Sequence, residues 1–312
     1  MNRRRRIRWR WLHRATALAF LAVLVAAGLL RGDWLRGSMT ATTWFGVLPI
    51  SDPLAVLEIT LTSRTWHNDA LLGAAVLLAA AVLLGPVFCG WICPLGLLMD
   101  LAQTVRGRVL RRLGLRTRRA SHVPSRSRAL RYFMLGGVIG FALLARVPMY
   151  QAVSPINVVA WSLLFASGPA LWFVLALIVL EAVFPRLWCR SLCPTGALYD
   201  LVGRRAKLRV WVNQRTAGRL QCRRCSVHCP MGIRVMEDYT LAGRPHISDP
   251  ACTRCGDCID VCPGDVLRLG FGAATPPEPN DASQPYCPGC DHGDADREED
   301  GKATHVLPVL RK

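Results

Sequence analysis

Cys252-x2-Cys255-x2-Cys258-x3-Cys262-Pro263 is the stretch of this chain with the most chemistry in it. Three thiolates spaced by two residues let a short loop wrap one face of an iron–sulfur cube. The fourth, three residues on and followed by proline, points away and serves a second cube. Zinc sites use separate Cys-x2-Cys knuckles instead of this three-plus-one run. An upstream run, Cys222-x2-Cys225-x3-Cys229-Pro230, has three cysteines. Two more pairs, Cys89-x3-Cys93-Pro94 and Cys189-x3-Cys193-Pro194, recur at an offset of 100 residues. Cysteines four apart lie on one helical face, one turn from each other, so each pair can present two thiolates together. This is ligand spacing suited to a reducing compartment, not a disulfide framework. The chemistry it supports is one-electron transfer.

The elements that must position these thiols read as membrane spans. Of 312 residues 52% are apolar, yet the formal net charge is +18. The arginines crowd beside apolar stretches instead of interleaving with aromatics on a folded face. That excludes a nucleic-acid binder and points to a membrane protein with its positive charge on one side. Residues 1–14 hold seven arginines and no acid. Four apolar stretches follow, at 15–30, 70–88, 132–149 and about 161–184, and each is read as a span. A cleaved signal peptide is the alternative for the first. Residues 101–131 carry ten arginines and no Asp or Glu, 31–67 balance three arginines against Asp33, Asp52 and Glu58, and 147–168 have no charge. The positive-inside rule then puts both termini and the arginine-rich loop in the cytoplasm, with that loop on anionic lipid.

The offset of 100 residues also matches Leu98 with Leu198, Asp100 with Asp200 and Leu101 with Leu201. A weaker outer-side echo pairs Pro49-Ile50-Ser51 with Pro155-Ile156-Asn157. The chain is expected to hold two copies of one unit: span, outer loop with Pro-Ile, span, Cys-x3-Cys-Pro. Both hairpins run the same way, giving parallel repeats about an axis along the membrane normal. Cys89, Cys93, Cys189 and Cys193 should converge at the cytoplasmic ends of the second and fourth spans. Four convergent thiolates repel one another unless a metal or cluster neutralises them, so a third cluster or shared redox site is expected there. The fold class is mostly α. A basic N-terminus (1–14) leads into a four-transmembrane-helix bundle of two parallel hairpin repeats (15–203). A C-terminal α+β ferredoxin-like domain (204–271) and a disordered tail (272–312) complete it.

The double Cys-x3-Cys-Pro, the outer Pro49-Ile50-Ser51-Asp52-Pro53-Leu54 and the ferredoxin runs together resemble the NapH/MauN group of ferredoxin-type membrane proteins. They also resemble the membrane core of NosR-type and CcoG-type proteins. The resemblance covers most of residues 15–270. It implies a bacterial-type domain with two [4Fe–4S] clusters in a multi-pass inner-membrane subunit. That subunit would oxidise quinol from the quinone pool and pass electrons to a periplasmic or membrane iron–sulfur or cytochrome partner. The alternative is an accessory factor that delivers electrons or metal during maturation of another redox enzyme, and a redox sensor is a third reading.

The first ferredoxin run departs from the family pattern of four cysteines. If Cys229 crosses over, it completes one cluster with Cys252, Cys255 and Cys258, leaving Cys222, Cys225 and Cys262 one ligand short. His228 stands where the missing cysteine would be, and imidazole ligates iron in some clusters and raises their potential. Cys287 and Cys290 in the tail are rival donors, and a [3Fe–4S] cluster is the third option. Glu181, His67 and Asp52 are the candidates for taking a quinol proton.

Overall fold

In the computed structural model the described residues are 8–29, 35–38, 41–44, 48–66, 68–114, 125–148, 150–151, 154–159, 168–184, 186–214, 222–264 and 266–271. The chain opens with α1 (Trp9–Leu29) and an antiparallel meander of β1 (Leu35–Ser38), β2 (Ala41–Trp44) and β3 (Leu48–Ser51). Then come α2 (Pro53–Ser63), α3 (Asn68–Leu84), α4 (Val87–Trp91), α5 (Pro94–Arg112), α6 (Ser125–Ala145) and α7 (Gly168–Val183). A π-helical turn (Trp188–Leu192) leads into α8 (Pro194–Val202).

Helices α1, α3, α6 and α7 fall on the four apolar stretches. By length and composition one helix among the described residues is long and apolar enough to cross a membrane, the Arg128–Ala145 part of α6. The 17 residues of α3 and 16 of α7 reach only about 24–26 Å at a rise of about 1.5 Å per residue. That is short of a hydrocarbon core about 30 Å thick. Ala and Leu, which give up least conformational freedom on entering a helix, make up most of α3. It stops at Gly85, whose φ of 78° is left-handed and whose absent side chain admits the Arg254 guanidinium, 1.9 Å from where a Cβ would stand.

The segment 31–67, read as an outer loop, carries the meander and α2 instead. Strand β3 packs along α3, and α2 lies between α3 and α6. Asp52 fixes the turn from β3 into α2: its carboxylate accepts from the Leu54 N–H at 3.1 Å, and Pro53 fills the first helical position. Each Cys-Pro starts a new helix, α5 at Pro94 and α8 at Pro194. The two cysteines of a pair therefore do not share one continuous helix, as their spacing of four had suggested. Proline lacks the N–H and clashes with the carbonyl four residues back, and it pushes the preceding residue to extended backbone. Cys93 (ψ 119°) and Cys193 (ψ 110°) are accordingly extended caps. Both copies close the preceding turn with the same wide bond, Cys93 N–H to Phe88 O at 3.0 Å and Cys193 N–H to Trp188 O at 2.9 Å.

The C-terminal domain is a two-stranded antiparallel sheet, β4 (Leu208–Val212) against β5 (Leu267–Phe271), with Leu208 opposite Phe271 and Val212 opposite Leu267. Between the strands lie α9 (Arg224–His228), a π-helical turn (Met236–Thr240) and α10 (Asp257–Asp260). Val210, Val212, Met231, Ile233, Val235, Tyr239, Ile247 and Leu267 form its core, and the buried cysteines Cys225, Cys229 and Cys258 pack into it.

Candidate functional site

The four motif thiols share one buried neighbourhood. Burial first, and then the thiols of Cys93, Cys193 and Cys189, push the Cys89 thiol well above its ordinary pKa. Cys189 is raised by burial and then by Cys193, with Cys93 adding to it. Cys193 is raised by burial and by Cys93, against the Gly196 N–H that its Sγ accepts at 3.3 Å. Apolar packing from both repeats closes the site: Leu95 and Met99 of α5, Leu177 of α7, and Ile156 and Val159 of the second Pro-Ile segment. The Pro-Ile segments, read as outer-side features, thus reach the thiols; Asp52 lies within electrostatic reach of Cys93 and Cys193.

In the C-terminal domain Cys229, Cys252, Cys255 and Cys258 line one cavity with Val210, Ile233 and Ile247. Cys225 lies beside Cys262 and Cys222, and burial and those two thiols push it up to about 12. Among the described residues no three His, Cys, Asp or Glu side chains gather around a point that one metal ion could occupy. An iron–sulfur cube is wider than an ion, and its thiolates stand further apart than those of a one-ion site. Buried thiols that raise one another's pKa suit such a group, because its iron charge supplies the compensation that water cannot. The His228 ring donates from Nδ1 to the Arg224 carbonyl at 2.8 Å, within its own helix. His67, Cys287 and Cys290 lie outside the described residues, as do residues 1–7, 115–124 and 272–312.

The two sets of thiols meet. Cys89 and Cys255 line the same space, together with His13, Asp100, Arg186, Pro230 and Thr253. The loop 252–258 rests on the first motif at Gly90, where an added Cβ would lie 2.8 Å from Thr253 O. Trp91 Nε1 donates to Arg254 O at 3.2 Å. From the second motif, Arg190 donates twice to Pro230 O, at 3.0 and 2.7 Å.

Known families reflect the same division. One described as a 4Fe-4S binding domain matches twice, at residues 66–112 and 167–211, once over each motif. One described as a 4Fe-4S dicluster domain matches residues 220–267. The methylamine utilization ferredoxin-type protein MauN of Methylorubrum extorquens is 32% identical over 278 residues, covering 84% of this chain and 88% of that protein. The ferredoxin-type protein NapH of Haemophilus influenzae is 30% identical over 281 residues, 85% of this chain and 93% of its own. The chain belongs to the NapH/MauN family of ferredoxin-type proteins. The NapH of Escherichia coli is 28% identical over 273 residues, 84% of this chain and 91% of its own. No solved structure matches.

Several residues of this NapH/MauN chain have a place that the motifs did not announce. Asp100 and Asp200, matched by the repeat, are both buried and both paired: Asp100 with Arg186 and with His13 Nε2 at 3.1 Å, Asp200 with Arg131. Their equal place in the repeat was the available signal. Glu181 is 2% exposed. Its carboxylate accepts from the backbone N–H of Arg186 and of Trp188, so it braces the turn into Cys189. Asp52 is occupied as a helix cap. A third carboxylate, Glu58, is buried on α2, and one of its oxygens has no hydrogen-bond partner. Sequence reading gave it no role beyond loop charge.

Proposed function

We propose that this chain is a membrane-embedded electron carrier that takes electrons from quinol and hands them to a partner oxidoreductase. On this reading α1, α3, α6 and α7 are the four spans of the two-repeat bundle, the short α3 and α7 being matched by local thinning of the bilayer. The arginine distribution supports both termini on the cytoplasmic side. The observation that carries this reading is the space shared by Cys89 and Cys255, which leaves no gap between the motif thiols and the ferredoxin domain.

Cys229, Cys252, Cys255 and Cys258 would hold one [4Fe–4S] cluster. Cys222, Cys225 and Cys262 would hold most of another. Cys89, Cys93, Cys189 and Cys193 would hold a third redox centre. Bound there, an iron–sulfur group supplies one-electron acceptance and donation, which splits the two-electron oxidation of a quinol into single steps. The residues around the thiols exclude water and hold the two sets together: Arg190 clamps the Pro230 carbonyl beside Cys229, and Trp91 clamps the Arg254 carbonyl beside Cys255.

Anaerobic purification with iron and sulfide counting, spin resonance and reduction by duroquinol tests the reading. Centres reduced by duroquinol support it. Centres reduced by dithionite and untouched by duroquinol overturn the quinol step. A reporter fused after Arg112 that reads out as periplasmic overturns the orientation.

A further inference from the structure

A cavity of about 270 Å³ opens between α2 and α6, lined by Glu58, Phe133, Met134, Gly137, Val138, Phe141 and Tyr150. Its lining side chains are apolar except for Glu58 and the Tyr150 hydroxyl. That carboxylate is 3% exposed. One oxygen, Oε1, accepts from the Tyr150 N–H at 2.9 Å. The other, Oε2, is buried without a partner. The Gln151 backbone N–H and side chain lie close enough to the carboxylate to favour its charged form, but Gln151 Nε2, like Oε2, has no partner at good hydrogen-bond geometry. A buried acceptor left unsatisfied is destabilising. An acceptor and a donor both left open beside an apolar hole are what a ligand hydroxyl, which donates and accepts at once, would satisfy.

The mouth of the cavity is on α6, the helix long and apolar enough to cross a membrane. Phe133, on its wall, is 76% exposed, so the approach is through an apolar face. Gly137 keeps the hole open: a Cβ there would meet nothing within 4 Å. A cavity of about 150 Å³ takes a benzene ring, so the space suffices for a substituted one. The inner wall leads to the thiols. Tyr150 Oη lies 3.5 Å from Thr195 Oγ1, and Thr195 is two residues from Cys193 on α8.

We propose that this cavity binds the ring of a lipid-soluble quinol, with one ring hydroxyl donating to Glu58 Oε2. The proposal rests on the quinol reading above and gives it a location. Oxidation breaks both O–H bonds of the quinol and leaves the quinone, two protons and two electrons. Glu58 Oε2 takes the first proton and water the second. The electrons would leave singly, to the one-electron acceptor that Cys89, Cys93, Cys189 and Cys193 would hold.

The full-length protein, purified anaerobically with its iron, would be labelled with a photoreactive azido-quinone and mapped by mass spectrometry. Cluster reduction by duroquinol and by dithionite would be followed by absorbance. The label is expected within residues 133–141, displaced by excess duroquinol. Gly137→Leu fills the cavity, so it should abolish labelling and slow duroquinol reduction at least about tenfold, with iron content and dithionite reduction unchanged. Glu58→Gln should keep the label and slow duroquinol reduction by about 10²-fold or more, as loss of a positioned proton acceptor does. Wild-type labelling and duroquinol reduction retained in Gly137→Leu would overturn the site and leave the proposed function standing. So would a label mapped to other helices. A changed oligomeric state with reduction retained would instead assign the glycine face of α6 to a partner helix. Wild-type centres that ignore duroquinol would overturn the proposed function and this site with it.

Discussion

Gly90→Ala is the smallest change that separates the two sets of thiols. The new methyl would stand 2.8 Å from Thr253 O and 3.2 Å from Thr253 Cβ. The first distance is about 0.6 Å inside the 3.4 Å at which ordinary contact begins. The carbonyl cannot swing aside alone, because the next residue is pinned: Arg254 Nε donates to Leu208 O at 2.6 Å and its NH1 to Cys252 O at 3.0 Å. The strain must be taken by the loop between Cys252 and Cys258. Overpacking of this kind costs about 1–3 kcal/mol, which lowers the docked population by about 5- to 150-fold. Hydrogen exchange of residues 252–258 in the full-length protein reads that change directly. Gly136→Ala is the control, since a Cβ there meets nothing within 4 Å. Gly90→Ala should speed exchange of the loop and slow its reduction through the motif, while Gly136→Ala does neither. Equal exchange in Gly90→Ala and the parent chain would refute the close-approach reasoning.

The buried pair at the repeat-matched aspartate should behave asymmetrically. Asp100→Ala strands Arg186 and should cost about 3–5 kcal/mol in thermal unfolding, whereas Asp100→Leu combined with Arg186→Met should recover most of it. Cys255→Ala should abolish one cluster signal in spin resonance, and His228→Ala should alter only the other; both signals unchanged in His228→Ala would remove imidazole from the ligand set. Glu237 is partly buried, which raises its pKa, but the Ser226 hydroxyl at 2.6 Å and Arg223 at 2.8 Å outweigh that and lower it. Its bracing of α9 is therefore complete above about pH 4.5, the ordinary value, and lost as pH falls through the lowered one. Hydrogen exchange of residues 222–229 should rise across that acid window, and Glu237→Gln should flatten the rise.

The cysteine sets were legible because ligand spacing is local. A loop that wraps a cube must repeat at short intervals, and Cys252, Cys255 and Cys258 do. The repeat was legible because Cys-Pro recurs with its flanking Leu and Asp. What escaped was tertiary. Residues 31–67 read as an outer loop because three arginines and three acids break up its apolar character, yet α2 buries Glu58 between its neighbours. Glu181 was one candidate for a quinol proton, and its sequence position gave no sign that the N–H groups of Arg186 and Trp188 bond its carboxylate. Proline in Cys-Pro should have signalled that each pair straddles a helix start. Gly90 looked unremarkable, since the contact that requires it lies more than 160 residues away in Thr253.

The docking at Gly90 and Arg190 inverts the order of the chain. The run that comes later in sequence sits against the bundle together with Cys229-Pro230, the last part of the earlier one, while α9, bearing Cys225, packs on α10 and the π-turn of its own domain, with Arg223 and Arg224 exposed beside it. On the proposed reading, the centre at Cys222 and Cys225 would be the terminal station of the line, and the one at Cys252, Cys255 and Cys258 its junction with the bundle. A recipient of electrons would then meet the chain at a basic, solvent-facing end. Changes in the choice of recipient are free to accumulate on that end without disturbing the inlet.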